Sequence, residues 1–414
     1  MSSSDSVRIK SQSVELSVEG IETHGMSEQR PLKVLTLDGG GLQALATLSS
    51  LNTVCKEIAR QNEATRTPAP HELFDVICGV GTGGWIALLL GRYRLDIATC
   101  MAVYMEIARK VDCAERTSRW HRRNRCFKLD QDRLVKVIEE TLQRYDLDAT
   151  LLSATSINPT LNDGRSRCRY AFAVGVVQQS KPQESKYELF RSYLLPANTK
   201  TTLPGPRPDK CRISQAFAAT GAAKFFLKPY KVEHTSFFDE TFPQSHPITA
   251  IALDEIFGLY GSDSEISVLL NIGPGIPSEE DCRELDEMST GPVERLTRKF
   301  SWPKRKQNSL SEQEGEDVSR EELEESTSSL SSSSERALRL DRQTRVDVKA
   351  RLKQLYGDAG PEKYHHLGPD YSLEKASLND VRAIRLFRTQ SSESQASSEE
   401  IEGTVKQFWV NARA

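Results

Sequence analysis

The stretch Leu73-Phe-Asp-Val-Ile-Cys-Gly-Val-Gly-Thr-Gly-Gly-Trp-Ile-Ala-Leu-Leu-Leu90 places four glycines between two apolar runs. The run before the glycines is short and rich in β-branched and aromatic residues, which is typical of a buried strand, whereas residues 82–92 have the length and composition of a helix. A strand that turns directly into a helix exposes the turn residue at the edge of a sheet, beside the free N–H groups of the helix N-terminus. That geometry suits either a nucleophile or a bound anion.

Two known motifs compete for this turn. The spacing from Gly79 to Gly84 fits the G-x-G-x-x-G dinucleotide fingerprint, but that fingerprint needs a strand after the helix and an acid about 20 residues on. The chain instead continues as a second helix over residues 95–111, and the nearest acid, Asp96, opens that helix. The other motif is the nucleophile elbow, G-x-S-x-G, in which Gly81 stands in the position of the serine. The stretch therefore has the shape of an elbow without its reacting atom.

A second glycine turn lies upstream of the first. Pro31-Leu-Lys-Val-Leu-Thr-Leu-Asp-Gly-Gly-Gly-Leu-Gln-Ala44 again indicates a strand, a glycine turn and a helix. Together the two units resemble the patatin-like phospholipase family, which pairs a D-G-G-G-x-R-G loop with a G-x-S-x-G elbow and a later D-G-[GA]. Phe237-Phe-Asp-Glu-Thr241 corresponds to the third element, and residues 216–226 and 270–275 are similar to two further family segments. The matches occur in family order over about residues 31–290.

The resemblance implies a patatin-like three-layer α/β fold, in which helices flank a central, mainly parallel sheet, with disordered insertions. It also implies a Ser–Asp dyad without a histidine, so Gly81 marks the inactive nucleophile position and Asp239 the vestigial dyad acid. The oxyanion-binding groups would be the backbone amides of Gly39, Gly40, Gly41 and Thr82. We expect the two glycine turns to lie close together at the carboxyl ends of neighbouring strands, with Asp239 facing the same pocket.

The sequence also departs from the family pattern. Glycine replaces serine at position 81, and Gln43 and Ala44 replace the arginine and glycine of the loop. Glu240 and Thr241 follow the aspartate where glycine is expected. The first hypothesis is therefore a degenerate, non-hydrolytic patatin-like phospholipase-domain protein of lipid metabolism, whose site binds a lipid, an acyl chain or a protein partner.

Two alternatives stay open. One is an active calcium-independent lipid acyl hydrolase of the phospholipase A type with a non-standard nucleophile. Thr82 is the obvious substitute, although it lies one residue past the apex and its N–H belongs to the oxyanion hole. The other is a nucleotide-binding module, which would leave the Asp38 to Gly41 loop and Asp239 without a role.

Composition argues against several classes of function. With 414 residues and a formal net charge of −3, the chain has no global attraction to nucleic acid or anionic membranes, so no nucleic acid partner is expected. The eight cysteines are scattered without a C-x-x-C pair, which argues against zinc sites and disulfide frameworks, and we expect no metal or cofactor. The first residues lack the apolar core of a signal peptide, and no apolar run approaches the roughly 20 residues that span a bilayer. We therefore expect an intracellular, cytoplasmic protein.

Composition also divides the chain into five segments. These are a disordered polar lead at 1–30, the patatin-like domain at 31–290, a disordered basic and then serine- and acid-rich insertion at 291–336, a helical C-terminal portion at 337–390, and a low-complexity tail with a short apolar end at 391–414. Each boundary follows a change in apolar content or charge.

Two polar features outside the glycine turns have simple interpretations. The basic segments at 116–125 and 295–306 each contain tryptophan and are candidates for peripheral membrane contact, although a solvated loop is the simpler interpretation. The adjacent His365 and His366 have no companion acid or cysteine in the sequence, which favours partly buried or surface histidines over a metal site.

Overall fold

The computed structural model describes residues 30–41, 44–115, 131–153, 165–178, 186–196, 199–200, 203–222, 229–238, 247–273, 333–368, 401 and 404–406. Several sequence predictions lie outside these residues. They are the disorder of the polar lead and of residues 291–332, both candidate membrane-contact segments, and a helix at 377–387. The last residues of the insertion predicted as disordered at 291–336 are described, and residues 333–336 lie in a helix, so the helix starts earlier than the composition predicts.

In the described part of the chain, eight strands form one sheet, and its central part is parallel. The strands are β1 (Leu32–Leu37), β2 (Val76–Val80), β3 (Tyr170–Val177), β4 (Lys186–Arg191), β5 (Tyr230–Val232), β6 (Thr235–Phe237), β7 (Ile266–Ile272) and β8 (Tyr364–Leu367). They lie in the order β5-β6-β3-β2-β1-β7-β8, and β4 pairs with β3 beside this path. Pairing is parallel from β3 through β2, β1 and β7 to β8, whereas β4, β5 and β6 pair antiparallel. Every residue of β2 and β7 is buried, as expected for parallel strands that are covered on both faces.

Helices cover both faces of this sheet and complete three layers. The helices are α1 (Ala44–Gln61), α2 (Pro70–Leu73), α3 (Thr82–Ala87), α4 (Ile97–Glu115), α5 (Gln131–Arg144), α6 (Ile213–Thr220), α7 (Ile248–Tyr260) and α8 (Ser333–Tyr356). One apolar core joins α1, α3, α4, α5 and α6 to the face that carries Leu35 and Ile77. A second core joins α7 and α8 to the opposite face, which carries Val34 and Cys78. The predicted three-layer α/β fold with a mainly parallel central sheet is confirmed.

Strand β4 starts and ends earlier than the sequence predicts. The apolar run predicts a strand at 189–195, but the paired residues are Lys186–Arg191, and Leu194 and Leu195 beyond them are 59% and 40% exposed. The register explains the difference, because Lys186 lies opposite Val177 at the end of β3. Backbone pairing with β3 therefore determines where β4 starts, and the polar character of its first residues does not prevent it.

The sheet takes its edge strand from the predicted C-terminal helical portion. Strand β8 pairs in parallel with β7, with Tyr364 opposite Leu269 and Leu367 opposite Ile272. Four residues that include two histidines show no apolar alternation, so the sequence did not predict a strand here. The domain boundary at residue 290 stays a prediction, but residues beyond it belong to the same sheet.

The apolar end of the C-terminal tail also packs against the domain. Ile401 and Val405 are 5% and 0% exposed and belong to the core on the α1 face. None of the helices in the described part of the chain has the length and apolar content that crossing a bilayer requires.

Candidate functional site

The glycine-rich turn between β2 and α3 has the backbone shape of an elbow. Gly81 lies at its apex with φ +59° and ψ −132°, a conformation that a residue with a Cβ adopts only under strain. A Cβ atom at Gly83 would lie 2.4 Å from the carbonyl oxygen of Leu37 and 2.5 Å from that of Asp38. The first turn of α3 therefore rests directly on the end of β1, which fixes the direction of the elbow.

The second glycine turn lies against this elbow. Strands β1 and β2 are parallel neighbours, with Leu37 opposite Gly79, so the loops that follow them emerge at the same edge of the sheet. A Cβ atom at Gly81 would lie 3.4 Å from the Cα of Gly39, which is an ordinary contact distance. The structure thus brings Gly39 and Gly81 together, and no closer contact of a Cβ atom at the apex occurs among the described residues.

Thr82 bridges the two glycine turns through its hydroxyl. Its Oγ1 accepts the backbone N–H of Gly40 at 3.1 Å and that of Gly41 at 3.0 Å. Tyr104 of α4, which is 2% exposed, donates its hydroxyl to the carbonyl oxygen of Gly41 at 2.6 Å. Burial raises the pKa of Tyr104, and a hydrogen bond from Thr82 acts in the opposite direction. Tyr104 lies in the helix predicted over residues 95–111, and the helical spacing of its apolar residues gives no signal for this contact.

The elbow helix is held on its other side by α6. The indole Nε1–H of Trp85 donates to the carbonyl oxygen of Phe217 at 2.7 Å, and Thr220 donates to the carbonyl oxygen of Val174 at 2.6 Å. A Cβ atom at Gly221 would lie 2.9 Å from the indole ring of Trp85. A side chain at position 221 would therefore overlap the adjacent indole, which explains the glycine.

A buried polar network lies on the α7 face of the same sheet edge. Asn271 donates its amide to Thr36 Oγ1 at 3.0 Å, and Thr36 shares a hydrogen bond of 3.1 Å with Thr249 of α7. His366 Nδ1 lies 2.5 Å from Asn271 Oδ1, so β8 is attached to β7 by side chains as well as by its backbone. A Cβ atom at Gly273 would lie 3.1 Å from Asp38 Oδ2 and 3.6 Å from His366 Cε1, which places the network beside the first residue of the glycine loop.

Both adjacent histidines are neutral at physiological pH. Burial lowers the pKa of His366 to about 3, and the positive charge of Arg345 adds to this effect. Burial and Lys349 together lower the pKa of His365 to about 4. Neither histidine belongs to a group of three or more metal-ligating side chains among the described residues.

Asp239 and Gln43 lie outside the described residues. The chain is described up to Phe238, whose N–H donates to the carbonyl oxygen of Val176 at 2.9 Å, near the carboxyl end of β3. Because β3 is the neighbour of β2, the segment that leads to Asp239 approaches the edge that carries Gly81. The roles of Asp239 as dyad acid and of the glycine loop in oxyanion binding stay predictions.

The described cysteines offer no substitute nucleophile. Burial raises the pKa of Cys55, Cys168 and Cys211 to about 12, and it raises that of Cys78 and Cys100 as well. A thiol is nucleophilic as its thiolate, and burial disfavours that form at each of these positions.

Comparison with known proteins points to one family. A model of the patatin-like phospholipase family matches residues 35–239, from β1 to the predicted dyad acid. Phospholipase A I of Arabidopsis thaliana is 24% identical over 296 residues, which cover 59% of this chain and 21% of that protein. Calcium-independent phospholipase A2-gamma of Oryctolagus cuniculus is 25% identical over 252 residues, which cover 59% of this chain and 28% of that protein. The chain thus matches only about a quarter of the length of these relatives.

Among solved structures, VipD of Legionella pneumophila is similar over 92% of this chain and 67% of that chain, with a TM-score of 0.38 and 10% identity. A likeness at that level adds nothing to the fold or the function. The family match covers both glycine turns and the strands that carry them, and those strands form the central parallel sheet that the resemblance implies. This chain belongs to the patatin-like phospholipase family.

Proposed function

We propose that this protein is a non-hydrolytic member of its family in lipid metabolism, and that its site binds a lipid or an acyl chain. The observation that carries the proposal is Gly81 at the apex of the elbow. An acyl-enzyme forms on a side chain at that position, and glycine has none. Loss of the nucleophilic serine from a serine hydrolase costs on the order of 10⁶ in kcat, which leaves no physiological rate.

The alternative of an active hydrolase with Thr82 as its nucleophile is less well supported. Thr82 Oγ1 accepts hydrogen bonds from the backbone N–H groups of Gly40 and Gly41. These two hydrogen bonds use both lone pairs of the hydroxyl oxygen. Attack on an ester would require this oxygen to leave both donors. The described cysteines are buried with raised pKa values and do not replace it.

The alternative of a nucleotide-binding module also finds little support. A pyrophosphate would need to approach the backbone of the glycine turn closely. The first fingerprint glycine, Gly79, already lies against α3, since a Cβ atom there would be 2.3 Å from the carbonyl oxygen of Gly83. The last one, Gly84, lies against α6, since a Cβ atom there would be 2.6 Å from Thr220 Oγ1. These two glycines therefore serve the packing of α3 on β2 and α6.

The lipid part of the proposal is supported by the family and by the names of the relatives, which are phospholipases A. The retained elbow and glycine loop indicate that the part of the fold that holds the reacting ester in such enzymes persists here. Peripheral membrane contact through the basic segments at 116–125 and 295–306 is part of this proposal and concerns residues outside the described part of the chain.

The test combines turnover with identification of bound lipid. We expect no turnover of phosphatidylcholine or p-nitrophenyl butyrate by the full chain beyond that of its Asp239→Ala variant, and no labelling by a fluorophosphonate probe. We expect mass spectrometry of the purified chain to find acyl lipids above the level in a protein of similar size from the same host. Robust turnover that Asp239→Ala abolishes would refute the non-hydrolytic part, and absence of enriched lipid would refute the binding part.

A further inference from the structure

The backbone amides of the glycine loop converge on a single point. The N–H groups of Gly40 and Gly41 both point at Thr82 Oγ1, at 3.1 and 3.0 Å. Two amide donors that converge on one oxygen at about 3 Å are the arrangement that stabilises an oxyanion in acyl-transfer sites. In this chain the oxygen at that point belongs to the protein itself.

The oxygen of the Thr82 hydroxyl has no capacity left to accept another donor. It accepts two N–H groups with its two lone pairs. Tyr104 in turn donates to the carbonyl oxygen of Gly41 at 2.6 Å. Gly41 is thus held at its N–H by one side chain and at its carbonyl by the other, with all four groups inside the chain.

Release of this contact would be costly. Threonine is β-branched and restricted in χ1, and Thr82 is the first residue of α3, so its hydroxyl has few other positions. Rotation would leave the amides of Gly40 and Gly41 without their acceptor. The loop is therefore held in one conformation.

We infer that the Thr82 hydroxyl takes the place of an anion in the glycine loop and that Thr82 determines which ligands the site accepts. A carboxylate or an oxyanion finds no free donor pair at Gly40 and Gly41. The site then takes a lipid through its acyl chain or an uncharged group, not through a carboxylate held by the loop. This last step rests on the proposed lipid-binding function, whereas the exclusion of anions does not.

Three substitutions at Thr82 separate the possible roles of its side chain. Thr82→Ser keeps the hydroxyl, Thr82→Val keeps the branched shape without the hydroxyl, and Thr82→Ala removes both. The full-length protein is labelled with ¹⁵N at glycine, and the amide resonances of Gly40 and Gly41 are followed during titration with sodium acetate.

We expect these resonances to stay unchanged in the natural sequence and in Thr82→Ser, and to shift saturably in Thr82→Ala. In Thr82→Val the methyl group fills the space, so acetate does not bind, but hydrogen exchange of the two amides accelerates by about tenfold because they lose an acceptor. Shifts in the natural sequence as large as in Thr82→Ala would overturn the inference. The inference would also be overturned if the Gly40 and Gly41 resonances did not shift with acetate in a folded Thr82→Ala and hydrogen exchange of these amides did not change in Thr82→Val.

A second pair of probes links this result to the proposed function. Octanoate and octanol have the same chain length and differ in charge. We expect the natural sequence to bind both with affinities within about threefold, since the loop offers no anion-binding donors, and Thr82→Ala to favour octanoate by about tenfold. If neither probe binds, the proposed lipid binding fails while the acetate titration still decides the role of Thr82. If the natural sequence favours octanoate with shifts at Gly40 and Gly41, the inference fails and lipid binding stands.

Discussion

Substitution of Gly81 by alanine tests the claim that the elbow persists as a backbone shape without its catalytic side chain. At φ +59° and ψ −132° a residue with a Cβ is strained, at a cost of about 1–3 kcal/mol. Steric overlap adds little, because the new Cβ would lie 3.4 Å from the Cα of Gly39. We therefore expect Gly81→Ala to fold and to lower the free energy of unfolding by about 1–3 kcal/mol, measured by urea denaturation.

Alanine substitutions at two other glycines separate the cost of backbone strain from the cost of steric overlap. Gly357 has φ +68°, and no described residue lies within 4 Å of a Cβ atom there, so Gly357→Ala reports positive φ alone and should cost about 1–2 kcal/mol. A Cβ atom at Gly83 would lie 2.4 Å from the backbone oxygen of Leu37, so Gly83→Ala must separate α3 from β1 and should cost more than Gly81→Ala. A Gly83→Ala variant as stable as Gly81→Ala, or an unaffected Gly81→Ala, would contradict this account of the elbow.

Three further outcomes follow from the site and its supports. Gly81→Ser should restore little esterase activity, since the loop arginine of the family is absent and Thr82 holds the Gly40 amide; turnover and fluorophosphonate labelling check this. Glu255 and Arg191 form a buried ion pair with 2.7 Å between Oε1 and Nε, and Glu255→Gln removes its negative charge. We expect this substitution to lower the free energy of unfolding by about 3–5 kcal/mol in urea denaturation. The control Arg207→Ala breaks an exposed ion pair with Asp209 and should leave the free energy of unfolding unchanged. Burial lowers the pKa of His366 from its ordinary 6.5 to about 3, so the unfolded chain binds a proton at this residue before the folded chain does as pH falls. The free energy of unfolding should therefore decrease from about pH 6.5 downward. In His366→Asn the decrease between pH 7 and pH 5, measured by urea denaturation, should be smaller.

The sequence was most informative where a run of apolar residues predicted a strand and a cluster of glycines directly after it predicted a turn. The strands that flank the two glycine turns are short apolar runs, and both form central parallel strands of the sheet. Their placement side by side followed from the family order of the motifs, and contact between Gly39 and Gly81 is what that order predicted. Local pattern and tertiary arrangement point to the same fold here.

The sequence was least informative where long-range pairing decides the structure. Strand β8 forms because Tyr364 and Leu367 are buried against β7 and His366 meets Asn271, contacts between residues about 95 positions apart that no local period shows. Tyr104 reaches the glycine loop in the same way, across 63 positions. Its helical spacing identified a buried face but could not show that the hydroxyl end of the ring would reach a backbone carbonyl of the site.

The retention of the elbow has a physical reason that is independent of catalysis. In an active hydrolase the apex residue carries a side chain in a strained conformation, and the surrounding structure must hold it there. Glycine at position 81 adopts the same conformation without that strain. The turn stays in place because Gly83 packs on the end of β1 and because Thr82 binds the loop that follows β1. Glycine at this position therefore avoids the strain that a serine would carry, while the packing that shapes the elbow is the same as that around a side chain.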